Sequence, residues 1–221
     1  MVFMVSTPCA GGIKASAYVR KRSYSQAFSK NDDTYESAED MQILNDSHFK
    51  HCPRCGNNGL VSDFIKSFRC PACDFVFYLN PAAAVAGLVV NADAELLVVV
   101  RNHAPAKGTW DLPGGFLDPG ETCEEGLRRE LNEELNLEIV SSRYFCSAPN
   151  EYAYGGVVYP TVDAAFICEI DPTQAIETDA DEIASAGFLP LSEIKVAKFG
   201  LPSIRTIVSD FLRRYQSGIC H

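Results

Sequence analysis

The chain reads as an α/β sandwich with a mixed sheet, preceded by a small metal-stapled module, and three features carry that expectation. Two β-rich runs, "AAAVAGLVV" and "ELLVVVR", are joined by the turn-forming "NADA". Two helical patterns follow at different distances: an acidic one after Pro119-Gly120, and an amphipathic one from Pro202 to Tyr215. Ahead of both stand two C-x-x-C pairs with the spacing of a metal knuckle.

A length of 221 residues suits one domain plus a small module, and 47% apolar residues supply a core. The longest apolar runs, Ala82–Val90 and Leu96–Val100, are too short to span a bilayer, so no membrane partner is expected. A net charge of −10 repels a nucleic acid backbone, which argues against polymeric DNA or RNA as a partner. Small phosphorylated ligands stay open, because they arrive with a divalent metal. Nine cysteines, an odd number and partly paired, do not fit a secreted disulfide framework. A reducing compartment fits better, and the expected location is the cytoplasm.

In chain order, residues 1–47 read as an extension. No Asp or Glu precedes Asp32, five Lys or Arg and many Ser do, and this composition is that of a transit peptide. The polar "NDDTYESAED" then reads as a linker. A disordered tail, or a start at Met41, explains the same composition, and no fold is assigned to the segment.

Residues 48–80 read as a ribbon. Cys52, Cys55, Cys70 and Cys73 make C-x2-C-x14-C-x2-C, with Gly56 and Pro71 suiting tight knuckle turns. Four thiolates give a structural Zn2+ its closed tetrahedral shell and supply folding energy to a module too small to fold by burial. His48 and His51 are not needed as ligands. Few basic residues accompany the knuckles (Arg54, Lys66, Arg69), which favours a structural or dimer-forming role over nucleic acid binding.

Residues 81–217 read as the main domain. After the first two strands, "HAPAKGTWDLPGG" is a Gly/Pro-rich loop with Trp110 as a core residue beside it. His103 and Lys107 read as a wet loop. Thr122 and Glu125 form a capping box that starts the acidic helix. Leu127, Leu131 and Leu135 make its buried stripe, and Glu130, Glu133 and Glu134 lie beside that stripe. Arg129 is one cation among these acids, i,i+4 from both Glu125 and Glu133, and leaves most of the repulsion in place. Hard divalent cations take oxygen ligands and keep waters for phosphates, so the helix has the donors of a metal-assisted phosphoryl site. "LEIVSSRYFCSA" and "GVVYPTVDAAFICEI" are strand-like, and a short strand is expected around Phe188. Ile204, Ile207, Val208, Phe211, Leu212 and Tyr215 then mark the buried face of the last helix.

"GFLDPGETCEEGLRRELNEELNL" resembles the Nudix box, G-x5-E-x7-R-E-U-x-E-E-x-G-U with U apolar. Gly115, Glu121, Arg129, Glu130, Leu131, Glu133, Glu134 and Leu137 fall into register, and Asn136 stands where the pattern has Gly. Asn is the next-best residue for a left-handed cap. The resemblance implies a Nudix α/β/α sandwich and a Mg2+ (or Mn2+) hydrolase that cleaves the diphosphate linkage of a nucleoside diphosphate joined to another group. Carried over by position, Glu130, Glu133 and Glu134 would ligate metal with the Gly114 carbonyl, Arg129 would orient the glutamates, and Gly115 and Glu121 would support the loop. The general base would be a box glutamate or a later acid, for which Glu182 in "DADEI" is the candidate; its alternative is a surface acid.

A ribbon directly before such a box is similar to the NADH pyrophosphatase arrangement. That subgroup carries S-Q-P-W-P-F-P-x-S after the box, where this chain has "SAPNEYAYG": Ser147 and Pro149 persist, and the Trp is gone. Tyr152 and Tyr154 suit base stacking, and their alternation equally suits a plain strand face. The expected partner is a small nucleotide, NAD(H)- or ADP-ribose-like, with a homodimer admitted. A (d)NTP pyrophosphohydrolase and a non-catalytic nucleotide sensor remain as alternatives.

Overall fold

The computed structural model describes residues 42–43, 48–64, 67–155 and 157–218. The targeting-like or disordered extension expected over 1–47 lies outside them, apart from Gln42–Ile43, whose backbone forms strand β1 parallel to a later strand.

The ribbon consists of β2 (Val61–Phe64), β3 (Ser67–Arg69) and β4 (Val76–Tyr78), paired antiparallel in that order. Among its described residues three rings cluster: Phe49 lies 4.8 Å from Phe68 and 5.0 Å from Phe77 between centroids. Three rings under three short strands are far below what independent folding requires. The knuckles have equivalent turns. In each, a residue with positive φ (Gly56, Asp74) donates its N–H to the carbonyl of the first cysteine.

The main domain is built from β5 (Ala82–Val89), β6 (Glu95–Arg101), β7 (Trp110–Asp111), α1 (Cys123–Leu135), β8 (Ile139–Tyr154), β9 (Val157–Ile170), β10 (Ile183–Pro190) and α2 (Pro202–Gln216). β9 organises a mixed sheet: it runs antiparallel to β8 along one edge and parallel to β5 and β1 along the other. β10, β6 and β7 form an antiparallel sheet.

Both parities of β5 and β6 are buried, as expected for strands with a helix on each face. Val85, Val89, Leu97 and Val99 pack with Leu127, Leu131 and Leu135 of α1. Ala86, Leu88, Leu96 and Val98 pack with Ile204, Ile207, Val208 and Phe211 of α2. The result is the α/β/α sandwich with a mixed sheet that the sequence predicts.

Two elements differ from expectation. β8 does not stop near Ala148 but runs through Pro149 to Tyr154. Among the described residues it pairs only with β9, and an edge strand tolerates a residue without an N–H. β10 is also longer than the short strand foreseen around Phe188, because it pairs with β6 from Arg101 to Glu95, with one irregularity between Ile183 and Ser185. Among the described residues, no helix is long and apolar enough to cross a membrane.

Candidate active site

Helix α1 begins at the Thr122–Glu125 capping box and ends at Asn136, which adopts the left-handed conformation with φ 54°. Its leucine stripe is fully buried, which forces the residues beside the stripe toward the edge of the core. Glu134 is 7% exposed, while the Glu133 side chain stands 61% exposed. One helix thus carries acids in graded environments.

Arg129 ties them together. Its Nε and one terminal nitrogen clamp both Glu121 oxygens at 2.7 and 2.9 Å. The guanidinium also lies 3.0 Å from Glu130 and 3.0 Å from Glu133, and it donates to the Phe116 carbonyl. The Arg129 hydrogen bonds, with that of the Asp118 N–H behind them, hold the Glu121 carboxyl down at about 2. The arginine's own affinity for its proton is raised, first by Glu121 and then by Glu133 and Glu130.

Glu134 has a different neighbourhood. Its Oε2 accepts the Gly114 N–H at 2.9 Å. Burial pushes the carboxyl up to about 8, with Glu130, Asp111 and Glu182 adding repulsion and the Gly114 hydrogen bond opposing. Burial likewise raises Glu130 against the pull of Arg129, and Glu133 and Glu182 add to the rise. Carboxylates crowded in this way fit a hard divalent cation, whose charge favours their ionised forms and so opposes both shifts. Glu130, Glu133, Glu134 and Gly114 all line one cavity, although among the described residues the three carboxylates do not converge within 4.8 Å of one another as the four cysteines do. The neighbouring carbonyls of Pro113 and Gly115 accept the N–H groups of Gly87 and Val85, which leaves the Gly114 carbonyl outside that backbone pairing.

A pH dependence follows. Because Glu134 binds its proton more tightly in the folded than in the unfolded chain, metal-free protein is expected to lose stability as pH rises from 4.5 through about 8. Saturating Mg2+ should flatten that slope. Thermal midpoints measured across the range, with and without metal, check it.

The loop leading to the helix is fixed by its glycines. Gly114 has φ +138°, and a Cβ there would overlap the Val85 carbonyl oxygen. A Cβ on Gly115 would instead meet the Glu130 carboxylate at 2.5 Å, the free end of a flexible side chain. Gly114→Ala is therefore expected to cost about 3 kcal/mol of stability. Gly115→Ala should cost under about 1 kcal/mol and act by displacing Glu130. Urea unfolding of the two variants distinguishes these outcomes.

These groups open on one cavity of about 640 Å³. Glu182, Tyr152, Tyr154 and His103 line it with the box glutamates, Arg129, Gly114 and Gly115, whereas Lys107 does not. Tyr152 packs edge-on against Phe116 with centroids 5.1 Å apart, and Tyr154 is exposed at the rim. Trp110 stays beside the loop, edge-on to Phe199 at 5.8 Å and beneath the Lys198 ammonium.

The four ribbon sulfurs converge separately: all lie within 4.8 Å of one another, with Cys52–Cys73 at 3.7 Å and Cys55–Cys70 at 3.6 Å. A tetrahedral ion with Zn–S near 2.3 Å sets its sulfurs about 3.8 Å apart, so the donor set fits zinc. His51 is exposed, and among the described residues the cluster contains no histidine.

The family model for the NUDIX domain matches residues 80–211, which is more than half of the chain. The chain belongs to the Nudix hydrolase family. Its members are phosphoanhydride hydrolases, and most use a divalent metal. An ADP-ribose pyrophosphatase of Methanocaldococcus jannaschii is 31% identical over 62% of this chain and 76% of its own length. A NAD-capped RNA hydrolase NudC of Chromobacterium violaceum is 30% identical over 74% of this chain and 57% of its length. The human NAD(P)H pyrophosphatase NUDT13, mitochondrial, is 24% identical over 84% of this chain and 51% of its length. The chain thus spans little more than half the length of the last two relatives. The resemblance to the zinc-ribbon subgroup around NADH pyrophosphatase holds at the level of these relatives and of the four-cysteine cluster.

The Nudix cavity also contains polar groups that the sequence reading passed over. Arg101 meets Asp111 at 2.6 Å, and both line the cavity. Asp163 is 5% exposed and accepts hydroxyl hydrogen bonds from Ser203 and Thr161. Asn150 is 7% exposed, and its Oδ1 has no hydrogen-bond partner. A signal was present: Asp163 is the lone charge inside the apolar run "VDAAFIC", and a charge there needs a polar reason.

Proposed function

We propose that this Nudix hydrolase cleaves the diphosphate linkage of a nucleoside diphosphate joined to another group, with NAD(H)- or ADP-ribose-like molecules as substrates. The observation that carries the reading is one cavity in which the acids of α1 and Glu182 face a nucleotide-sized space rimmed by Tyr152 and Tyr154. Relatives named for ADP-ribose and for NAD-derived substrates support it.

A bound Mg2+ or Mn2+ would neutralise phosphate charge and make a water more acidic. The chain's own residues do the remaining work. Arg129, clamped by Glu121, holds Glu130 and Glu133 toward the cavity and keeps their mutual repulsion from spreading the site. The Gly114 N–H occupies one oxygen of Glu134 and leaves the other for metal or water. A carboxyl whose burial lifts it to about 8 is also suited to take a proton near neutral pH. Glu134 is therefore the first candidate for general base, and Glu182, on the exposed loop before β10, the second. Tyr152 offers a ring face to a base and Tyr154 extends that surface. Without metal, the surplus of acids in the cavity would repel a phosphate, which makes the activity strictly metal-dependent.

Purified protein with Mg2+ and a panel of ADP-ribose, NAD, NADH, a NAD-capped RNA and several dNTPs tests this, with products resolved by chromatography. Release of a nucleoside monophosphate from ADP-ribose or a dinucleotide supports the proposal. Pyrophosphate from a dNTP alone would replace it with the (d)NTP pyrophosphohydrolase reading. Cleavage of the capped RNA would extend it to a polymeric partner, against the expectation from net charge.

A further inference from the structure

Polar groups other than the glutamates, among them Arg101, Asp111, Asn150 and Asp163, line the same cavity. In the β8–β9 register Ala148 faces Asp163, Asn150 faces Thr161, and Tyr152 faces Tyr159. Alternation puts these side chains on a single face of the hairpin. That face grades from a buried floor (Ala148, Asn150, Thr161, Asp163) to an aromatic rim (Tyr152, Tyr159). The β5 register adds Ala84 opposite Asp163, a residue too small to fill the space above the floor. From the other side α2 supplies Ser203, whose hydroxyl donates to Asp163 Oδ2.

Two features of this floor have no structural explanation. Asn150 Oδ1 is buried without a partner, and an unsatisfied buried acceptor costs about 1–3 kcal/mol. Asp163 is buried with only neutral hydroxyls as direct partners, although Arg101, bound to Asp111, lies near enough to affect it. Both residues line the cavity. Asn150 also stands at the position where the S-Q-P-W-P-F-P-x-S pattern has Trp, so a flat apolar group is replaced by an amide. An acceptor kept buried and unpaired beside a carboxylate is matched by a ligand that brings N–H donors.

We propose that Asn150 and Asp163 form the floor of a subsite that reads a primary amine or carboxamide on an aromatic ring of the nucleotide. The proposal rests on the reading of this cavity as a nucleotide site. An Asn side chain is suited to an amino group beside a ring acceptor, because its oxygen accepts while its nitrogen donates. Asp163 accepts from a second N–H, and Tyr152 covers the ring. Two chemical sources carry this pattern: the amino group of adenine and the carboxamide of nicotinamide.

Paired substrates separate them. ADP-ribose against its hypoxanthine counterpart removes the amine; NADH against its carboxylate counterpart removes the carboxamide; ATP against ITP repeats the first comparison on a triphosphate. Wild-type protein is expected to favour the amino or amide member of at least one pair by roughly ten- to a hundredfold in kcat/KM. Asn150→Leu should bring that ratio to near one, and Asp163→Asn, which keeps an acceptor but loses the charge, should lower it, both mainly through KM. Asn150→Leu should not lower the thermal midpoint, since it removes an unpaired buried acceptor. That outcome separates loss of recognition from loss of fold. Equal use of both members of every pair by wild-type protein, or a preference unchanged in both variants, overturns the proposal. If only the triphosphates are cleaved, the diphosphatase reading falls and the ATP/ITP ratio still decides the subsite. If nothing is cleaved, the same ratios are read as dissociation constants by calorimetry with Mg2+, and equal constants overturn it.

Discussion

Glu134→Gln is expected to lower kcat about a thousandfold while the protein stays folded. The substitution keeps the side chain's volume, and the amide oxygen still accepts the Gly114 N–H. What it removes is the charge that would bind metal and the capacity to take a proton. It also removes a carboxyl whose ionised form burial disfavours, so metal-free Glu134→Gln should melt at a higher temperature than wild-type protein above pH 8. Lower activity together with higher metal-free stability is the signature of a group strained for function. A fall in both would make Glu134 a structural residue. Glu182→Gln is the comparison. Glu182 lies on an exposed loop and its amide and carbonyl are already engaged with Asp179 and Asn102, so its removal leaves the fold intact. A loss as large as that of Glu134→Gln would transfer the role of base to Glu182, and a loss below about tenfold would leave it an electrostatic neighbour.

The parts of this site differ in how far they could be read without coordinates, and the reason is physical. Acids proposed to meet one cation can be set on one helix at fixed spacing, so the spacing itself carries the expected chemistry. Arg129 and Glu121 were legible for the same reason, since an eight-residue separation spans the loop and two turns. The two cysteine pairs are more local still. The floor of the cavity is built otherwise. Asn150 and Asp163 come together only through the β8–β9 register, and Ser203 reaches Asp163 across 40 residues once α2 docks. No sequence interval encodes such a meeting; a polar residue at a buried position is the only trace it leaves. Pro149 then obscured even that, because a proline reads as the end of a strand unless the strand is known to be an edge. The trace of β1 was hidden in a different way, as two residues inside a stretch whose composition argues against any fold.

Removal of zinc should unfold the ribbon and spare the hydrolytic domain. Four sulfurs at 3.6 and 3.7 Å across the pairs are too close to be independent and too far apart to be disulfides, whose S–S bond is about 2.05 Å. All four cysteines are free thiols. Against them the ribbon sets three rings and ten strand residues, which cannot offset the entropy of ordering the module. Binding energy of about 10 kcal/mol or more, as structural zinc supplies to small modules, closes that gap. One zinc per chain is therefore expected on release with a thiol reagent, and hydrogen exchange over residues 48–78 should rise to the unfolded rate once a chelator has acted. Residues lining the cavity all lie between Ala84 and Ile204, in a domain whose two clusters of buried side chains do not include the ribbon. Activity should thus fall by no more than about threefold. Cys55→Ser gives the same test without chelator, since Cys55 is the exposed ligand and its replacement disturbs little packing. Substoichiometric zinc with full ribbon protection would mean that the knuckles fold by pairing their thiols, and a mass loss of 4 Da in the intact chain, two disulfides' worth of hydrogen, would identify that state.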